Sequence, residues 1–87
     1  MNLPNTWAKK IQQVSIRGIP DILGCINGHF IAIELKMDKT GQLDELQKYE
    51  LSQIKKAKGH IFIATPQTWS NALKELTRLA VQPRVNI

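Results

Sequence analysis

Asn27-Gly28 leaves the middle of this chain little freedom. It separates two runs rich in Ile and Leu, Ile19 to Ile26 and His29 to Lys36. Both central positions of a type I′ turn need positive φ, which Asn and Gly tolerate, so the pattern predicts a tight β-hairpin. A two-residue turn also sets the register. Ile26 faces His29, and counting back along both strands Asp21 faces Glu34, with Cβ atoms about 5 Å apart. Side chains alternate along a strand, so Lys36 projects to the same side as Glu34. The other side carries Ile22, Ile26, Ile31, Ile33 and Leu35, a core surface. A regular hairpin without a bulge therefore gathers two carboxylates and an ammonium on one patch of sheet.

The flanking segments complete a small α/β domain. Thr6 to Gln12 suits a strand or a short helix, with the strand preferred, and Val14 to Gly18 is a loop. Met37 to Gln42 is polar and also a loop. A helix is expected from Asp44 to Lys58, ended by Gly59, with Leu43, Leu46, Leu51, Ile54 and Ala57 as its apolar stripe. Ile61 to Thr65 reads as a short strand buried on both faces. Pro66 suits the first position of a second helix, with Thr65 as its N-cap. Trp69, Ala72, Leu73, Leu76, Leu79 and Ala80 form that helix's inner face, and Pro83 stops it. The last strand follows a helical crossover from the hairpin, so it should run parallel to the hairpin's second strand. The expected fold class is α/β: one domain over residues 1–87, with a small mixed sheet and flanking helices.

With 87 residues, a single domain buries only about 60–65% of its unfolded surface, and self-association would add to a thin stability margin. The net charge of +5 and pI near 9.7 favour a polyanionic partner. Lys9, Lys10 and Arg17 all precede the first acidic residue, Asp21. Lys55, Lys56 and Lys58 close the first helix, where cations complement its dipole. The lone Cys25 excludes an internal disulfide and a Cys-rich zinc site, which fits a reducing, cytoplasmic setting. No run approaches the roughly 18 apolar residues of a membrane span, and no membrane partner or secretory leader is expected.

Two carboxylates about 5 Å apart repel, and one has its pKa raised unless a cation lies between them. Lys36 could be that cation, in a cross-strand salt bridge on a solvated face. A hard divalent ion such as Mg²⁺ would serve better, held by Asp21 and Glu34 with the Leu35 carbonyl as a further oxygen donor. Such an ion polarises a phosphodiester and acidifies water. Lys36 then orients the water or stabilises transition-state charge. Gln47 sits between Leu43 and Leu51 on one helical ridge. It either points inward to the carboxylates or closes a capping box with Asp44. Glu50 lies at the boundary of the stripe. Lys9, Lys10, Ser15, Arg17, Lys39 and Thr40 are candidate contacts to a nucleic-acid backbone. Trp7 suits base stacking or core packing, with core expected, and Trp69 is core. His29 is structural, His60 has no evident partner, and Cys25 is expected to be inert.

The run Arg17-Gly18-Ile19-Pro20-Asp21-Ile22, the segment Ile33-Glu34-Leu35-Lys36, Gly41 and Gln47 together resemble the VRR-NUC domain of the PD-(D/E)xK nuclease superfamily. The likeness extends over roughly residues 5 to 66. It implies a restriction-endonuclease-like core, metal binding by Asp21 and Glu34, catalytic support from Lys36 and a site role for Gln47. It further implies dependence on Mg²⁺ or Mn²⁺ with no small-molecule cofactor. Stand-alone members occur in phages and bacteria and are related to Holliday-junction resolvases, so the likeness also implies a homodimer that cuts branched DNA. Many members carry a further acidic residue on a helix before the first strand, whereas residues 1–20 here contain no Asp or Glu. That departure bears on activity more than on fold. The competing expectations are a non-catalytic nucleic-acid-binding module on the same fold and a structural subunit of a repair or packaging complex.

Overall fold

The structure, a computed structural model, describes residues 2–11, 17–38 and 42–83. Its elements in chain order are β1 (Thr6–Lys10), β2 (Ile22–Ile26), β3 (His29–Leu35), α1 (Glu45–Lys56), β4 (His60–Ala64) and α2 (Trp69–Val81). The strands form one sheet in the order β1-β2-β3-β4. The first two pairings are antiparallel and β3 pairs with β4 in parallel, so the mixed α/β class stands. The segment that suited strand or helix is strand β1.

The hairpin forms as its turn chemistry requires. Asn27 and Gly28 have φ of 50° and 87°, and the ladder pairs Ile26 with His29 and Ile22 with Ile33. β2 begins at Ile22 rather than Ile19, because the preceding stretch contains Pro20, which has no N–H for the ladder. Asn27 does more than turn the chain. Its Nδ2 donates to the carbonyls of Leu79 (3.2 Å) and Gln82 (2.7 Å), and Asn5 Nδ2 donates to that of Ala80 (3.0 Å). Carbonyls left open by the end of α2 are thereby satisfied.

The two helices lie on opposite faces. α2 crosses β2 and β4, and its Leu76, Leu79 and Ala80 close a core with Ile26, Ile31 and Ile33. Leu3, Ile22, Phe62 and Trp69 pack around it. α1 lies over β4 on the face that carries Ala32 and Glu34.

Several local expectations need correction. β4 is an edge strand, and Ile63 is 41% exposed instead of buried on both faces. The stripe of α1 is narrower than its periodicity suggested. Leu51 is buried and Leu43 and Ile54 are half-buried, whereas Leu46 and Ala57 face solvent. The left-handed position ending α1 belongs to Lys58 (φ 73°), with Lys58 N–H donating to the Lys55 carbonyl and Gly59 N–H to that of Ile54. This is a Schellman ending in which Gly59 is the residue after the left-handed one. Gly59 is small for another reason: a Cβ there would lie 2.7 Å from Ile54 Cγ2 and 3.1 Å from Phe30 Cδ2. α2 starts at Trp69 with Thr68 in the cap position, and Pro66 sits in a turn before it. That turn is clasped by Thr65 and Thr68, each backbone N–H donating to the other's hydroxyl at 2.9 and 3.2 Å. His60 does have a partner. Its Nε2 lies 3.3 Å from His29 Nδ1, with the rings edge-to-face.

Candidate active site

The approach to Asp21 is shaped by the residues before it. Gly18 has φ of 87°, and a Cβ there would fall 2.7 Å from the Leu46 carbonyl carbon and oxygen, so only glycine lets the chain pass this close to α1. Pro20 is fully buried behind it. The Ile11 N–H donates to the Asp21 carbonyl at 2.7 Å, extending the β1–β2 ladder and tying down the Asp21 backbone. Half-buried Asp21 then reaches across to β3, where its Oδ2 accepts the Leu35 N–H at 2.7 Å. A strand residue's N–H and C=O lie on the same edge, so the Leu35 carbonyl also opens towards β2.

Glu34 is 3% exposed. Its Oε1 accepts from Gln47 Nε2 at 3.2 Å, while its Oε2 is buried with no hydrogen-bond partner. Burial pushes the Glu34 carboxyl up to about 7 from an ordinary 4.5. A proton on Glu34 can be shared with the Asp21 carboxylate, and that sharing and the Asp21 charge push the same way; Lys36 pulls back, and Asp44 adds a further upward push. The orphaned oxygen and the raised pKa have one physical origin. A carboxylate removed from water beside a second carboxylate lacks positive charge, which a proton or a cation can supply.

Both readings of Gln47 hold at once. Its backbone N–H donates to Asp44 Oδ1 (2.9 Å) and its Oε1 accepts the Asp44 N–H (3.0 Å), which completes the capping box. The amide nitrogen is left to Glu34. With the oxygen committed to the cap, the amide can turn only a donor towards Glu34. The contribution of Asp44 to the site's field was not anticipated. Its place three residues before Gln47 was the available signal.

Lys36 follows β3, its N–H held by the Ala64 carbonyl at 2.8 Å. Among the described residues it forms no ion pair with Asp21 or Glu34, so the cross-strand salt bridge is not made, although its charge is felt at Glu34. A hard divalent cation fits the unpartnered Oε2, Asp21 and the neighbouring carbonyl in donor chemistry. No group of three or more His, Cys, Asp or Glu side chains capable of holding a metal occurs among the described residues, so backbone or solvent oxygens would have to complete the shell.

The basic candidates are not all brought together. Lys9 and Lys10 are both exposed on β1 and alternate, with Lys9 paired to Leu23 on the carboxylate face and Lys10 to Ile22 on the other. Arg17 is exposed in the turn with Gly18. Ser15, Lys39, Thr40 and Gly41 lie outside the described residues. Trp7 is not core but 62% exposed, and Cys25 is exposed as well. Among the described residues no helix is long and apolar enough to cross a membrane.

Compared with family models, with curated proteins and with solved structures, the chain matches none.

Proposed function

We propose that the chain is a metal-dependent endonuclease of the PD-(D/E)xK kind, with a reduced restriction-endonuclease-like core, that hydrolyses phosphodiester bonds in DNA. The observation that carries this reading is Glu34: nearly inaccessible, facing Asp21, and left with an unpartnered oxygen. Folding gains nothing from such a group, and strongly shifted carboxylates cluster where function keeps them. Asp21, Glu34 and the Leu35 carbonyl would hold Mg²⁺ or Mn²⁺. Bound there, the cation would supply Lewis-acid stabilisation to the phosphodiester. Gln47 keeps Glu34 aimed, and the Leu35 N–H does the same for Asp21. Lys36, paired with neither carboxylate, offers its ammonium to the charge that develops on phosphate oxygens. The exposed cations Lys9, on the carboxylate face, and Arg17 suit the backbone of the substrate.

The test is cleavage of labelled four-way junction, flap and duplex DNA in Mg²⁺, Mn²⁺ or EDTA, beside Lys36→Ala. Metal-dependent cutting that the variant lacks supports the proposal, and the preferred substrate names the task. Resolution of a four-way junction needs two cuts related by a two-fold axis, so that version also requires a homodimer in sedimentation. A second reading, a non-catalytic nucleic-acid-binding module, is favoured by the lack of a third acidic or histidine ligand among the described residues. Tight, salt-sensitive DNA binding with no cutting in either metal would select it.

A further inference from the structure

On the carboxylate face, α1 packs on β4 and reaches Glu34 of β3 through Gln47, while Trp7, Lys9, Cys25 and Phe30 stay exposed. The register places Trp7 opposite Cys25 and Cys25 opposite Phe30, in one row across three strands. Trp7 is 62% and Phe30 46% exposed, with the small, exposed Cys25 between them. Adjacent strands lie about 4.8 Å apart, so the two aromatic residues are rooted about 10 Å from each other. A base sandwiched between two rings needs two contacts of about 3.5 Å, and the slot takes one base with room for the rings to lean. The Phe30 ring lies close to Gly59, where a Cβ would come within 3.1 Å of its Cδ2, which steadies one wall.

The charge around the slot identifies its occupant. The next row on this face begins with exposed Lys9, and Asp21 and Glu34 occupy the row after it. Cys25 lies four residue steps along the chain from Asp21, about 13 Å at strand rise. A stacked strand rises about 3.4 Å per nucleotide, so a base in the slot belongs to the same few nucleotides as a phosphate at the carboxylates. A second copy of the chain is a poor occupant. A two-fold contact centred on the slot would bring the Lys9 ammonium of each copy close to that of the other.

We propose that Trp7 and Phe30 form a stacking slot for one unpaired nucleobase, floored by Cys25, with Lys9 contacting the phosphates between the slot and the carboxylates. This rests on the nucleic-acid part of the proposed function and makes the protein a reader of single-stranded or flapped DNA.

The experiment is done in EDTA, so binding is read without cleavage. Anisotropy of a fluorescein-labelled oligothymidylate and of a blunt duplex is measured with wild type, Trp7→Ala and Trp7→Phe. Loss of one base stack should weaken oligothymidylate binding about tenfold in Trp7→Ala. Trp7→Phe should keep most of the affinity, and duplex binding should stay unchanged. In the wild type, the oligonucleotide should also slow alkylation of Cys25 by iodoacetamide, read by mass spectrometry, which needs no variant to fold. Equal single-strand affinity in Trp7→Ala, an equal loss on duplex, or unprotected Cys25 would overturn the slot. A wild type that ignores the oligothymidylate would overturn it too. None of these results touches metal-dependent cutting, and absence of cutting would leave a functioning slot in place.

Discussion

The two faces of the sheet are built from the same strands and behave as opposites. Along β3, Ile31 and Ile33 turn towards α2 and are fully buried among aliphatic neighbours. Ala32 and Glu34, one residue out of phase, are equally inaccessible on the other face. There the buried set includes a carboxylate with an unpartnered oxygen, and the cover stops short of Trp7, Cys25 and Phe30. One face is a closed apolar core, which stabilises the chain. The other accepts a desolvation penalty and an open aromatic surface, neither of which stabilises anything until a ligand arrives. A domain this small can carry such a face only because the opposite one is complete.

The contrast can be broken from either side. The largest effect on activity is expected on the open face: Asp21→Asn or Lys36→Ala should lower metal-dependent cutting by at least about a hundredfold. Thermal unfolding of these variants should move little, and a melting curve beside the cleavage assay separates the two. On the closed face Leu76→Ala should do the reverse. It should remove about 2–5 kcal/mol of stability by leaving a cavity in the core, measured by urea unfolding.

The third effect is a dependence on pH in EDTA. Glu34 titrates near 7 in the folded chain against 4.5 in the ordinary case, so the native state holds its proton more tightly than the unfolded one. Its contribution is complete below about pH 4.5 and is lost as pH rises through 7, to the extent of about 3 kcal/mol. Glu34→Gln should flatten that decline and leave the protein more stable than wild type at pH 8. A divalent cation must displace the same proton, so Mn²⁺ affinity by calorimetry should rise over this window and vanish in Glu34→Gln. The smallest effect is expected from Gln47→Ala. It loses half of the capping box and should cost about 1 kcal/mol. Urea unfolding beside wild type reads that loss.

Much of the candidate site's layout was legible in the sequence. Asn27-Gly28 implied the register, and the ladder from Ile26–His29 to Ile22–Ile33 follows it, with Asp21 next in line towards Glu34; the bond from the Leu35 N–H to Asp21 Oδ2 was not foreseen. The capping box was legible from Asp44 and Gln47, as was the core ridge of α2. The burial of Glu34, its orphaned oxygen and the division of labour within the Gln47 amide were not. Each depends on where α1 comes to rest, after a segment whose sequence does not dictate its path.

The misread residues share that origin. Trp7 and Ile63 have strand-like, apolar neighbours, and nothing in those neighbours says that β1 and β4 are edge strands or where a helix stops covering them. Leu46 fits the helical period, yet the rotation of α1 about its axis leaves it facing solvent. His29 and His60 met only because β3 and β4 pair in parallel across a crossover. By itself the sequence determined what is settled within a few residues of chain: turn type, hairpin register, caps, and which side of a strand or helix each residue occupies. These depend on φ preferences and on periods of 2 and 3.6. Only the tertiary structure decided which of those sides is covered, because burial depends on the docking of elements distant in sequence. The charge left bare at Glu34 and the rings left open at Trp7 and Phe30 are both products of that docking.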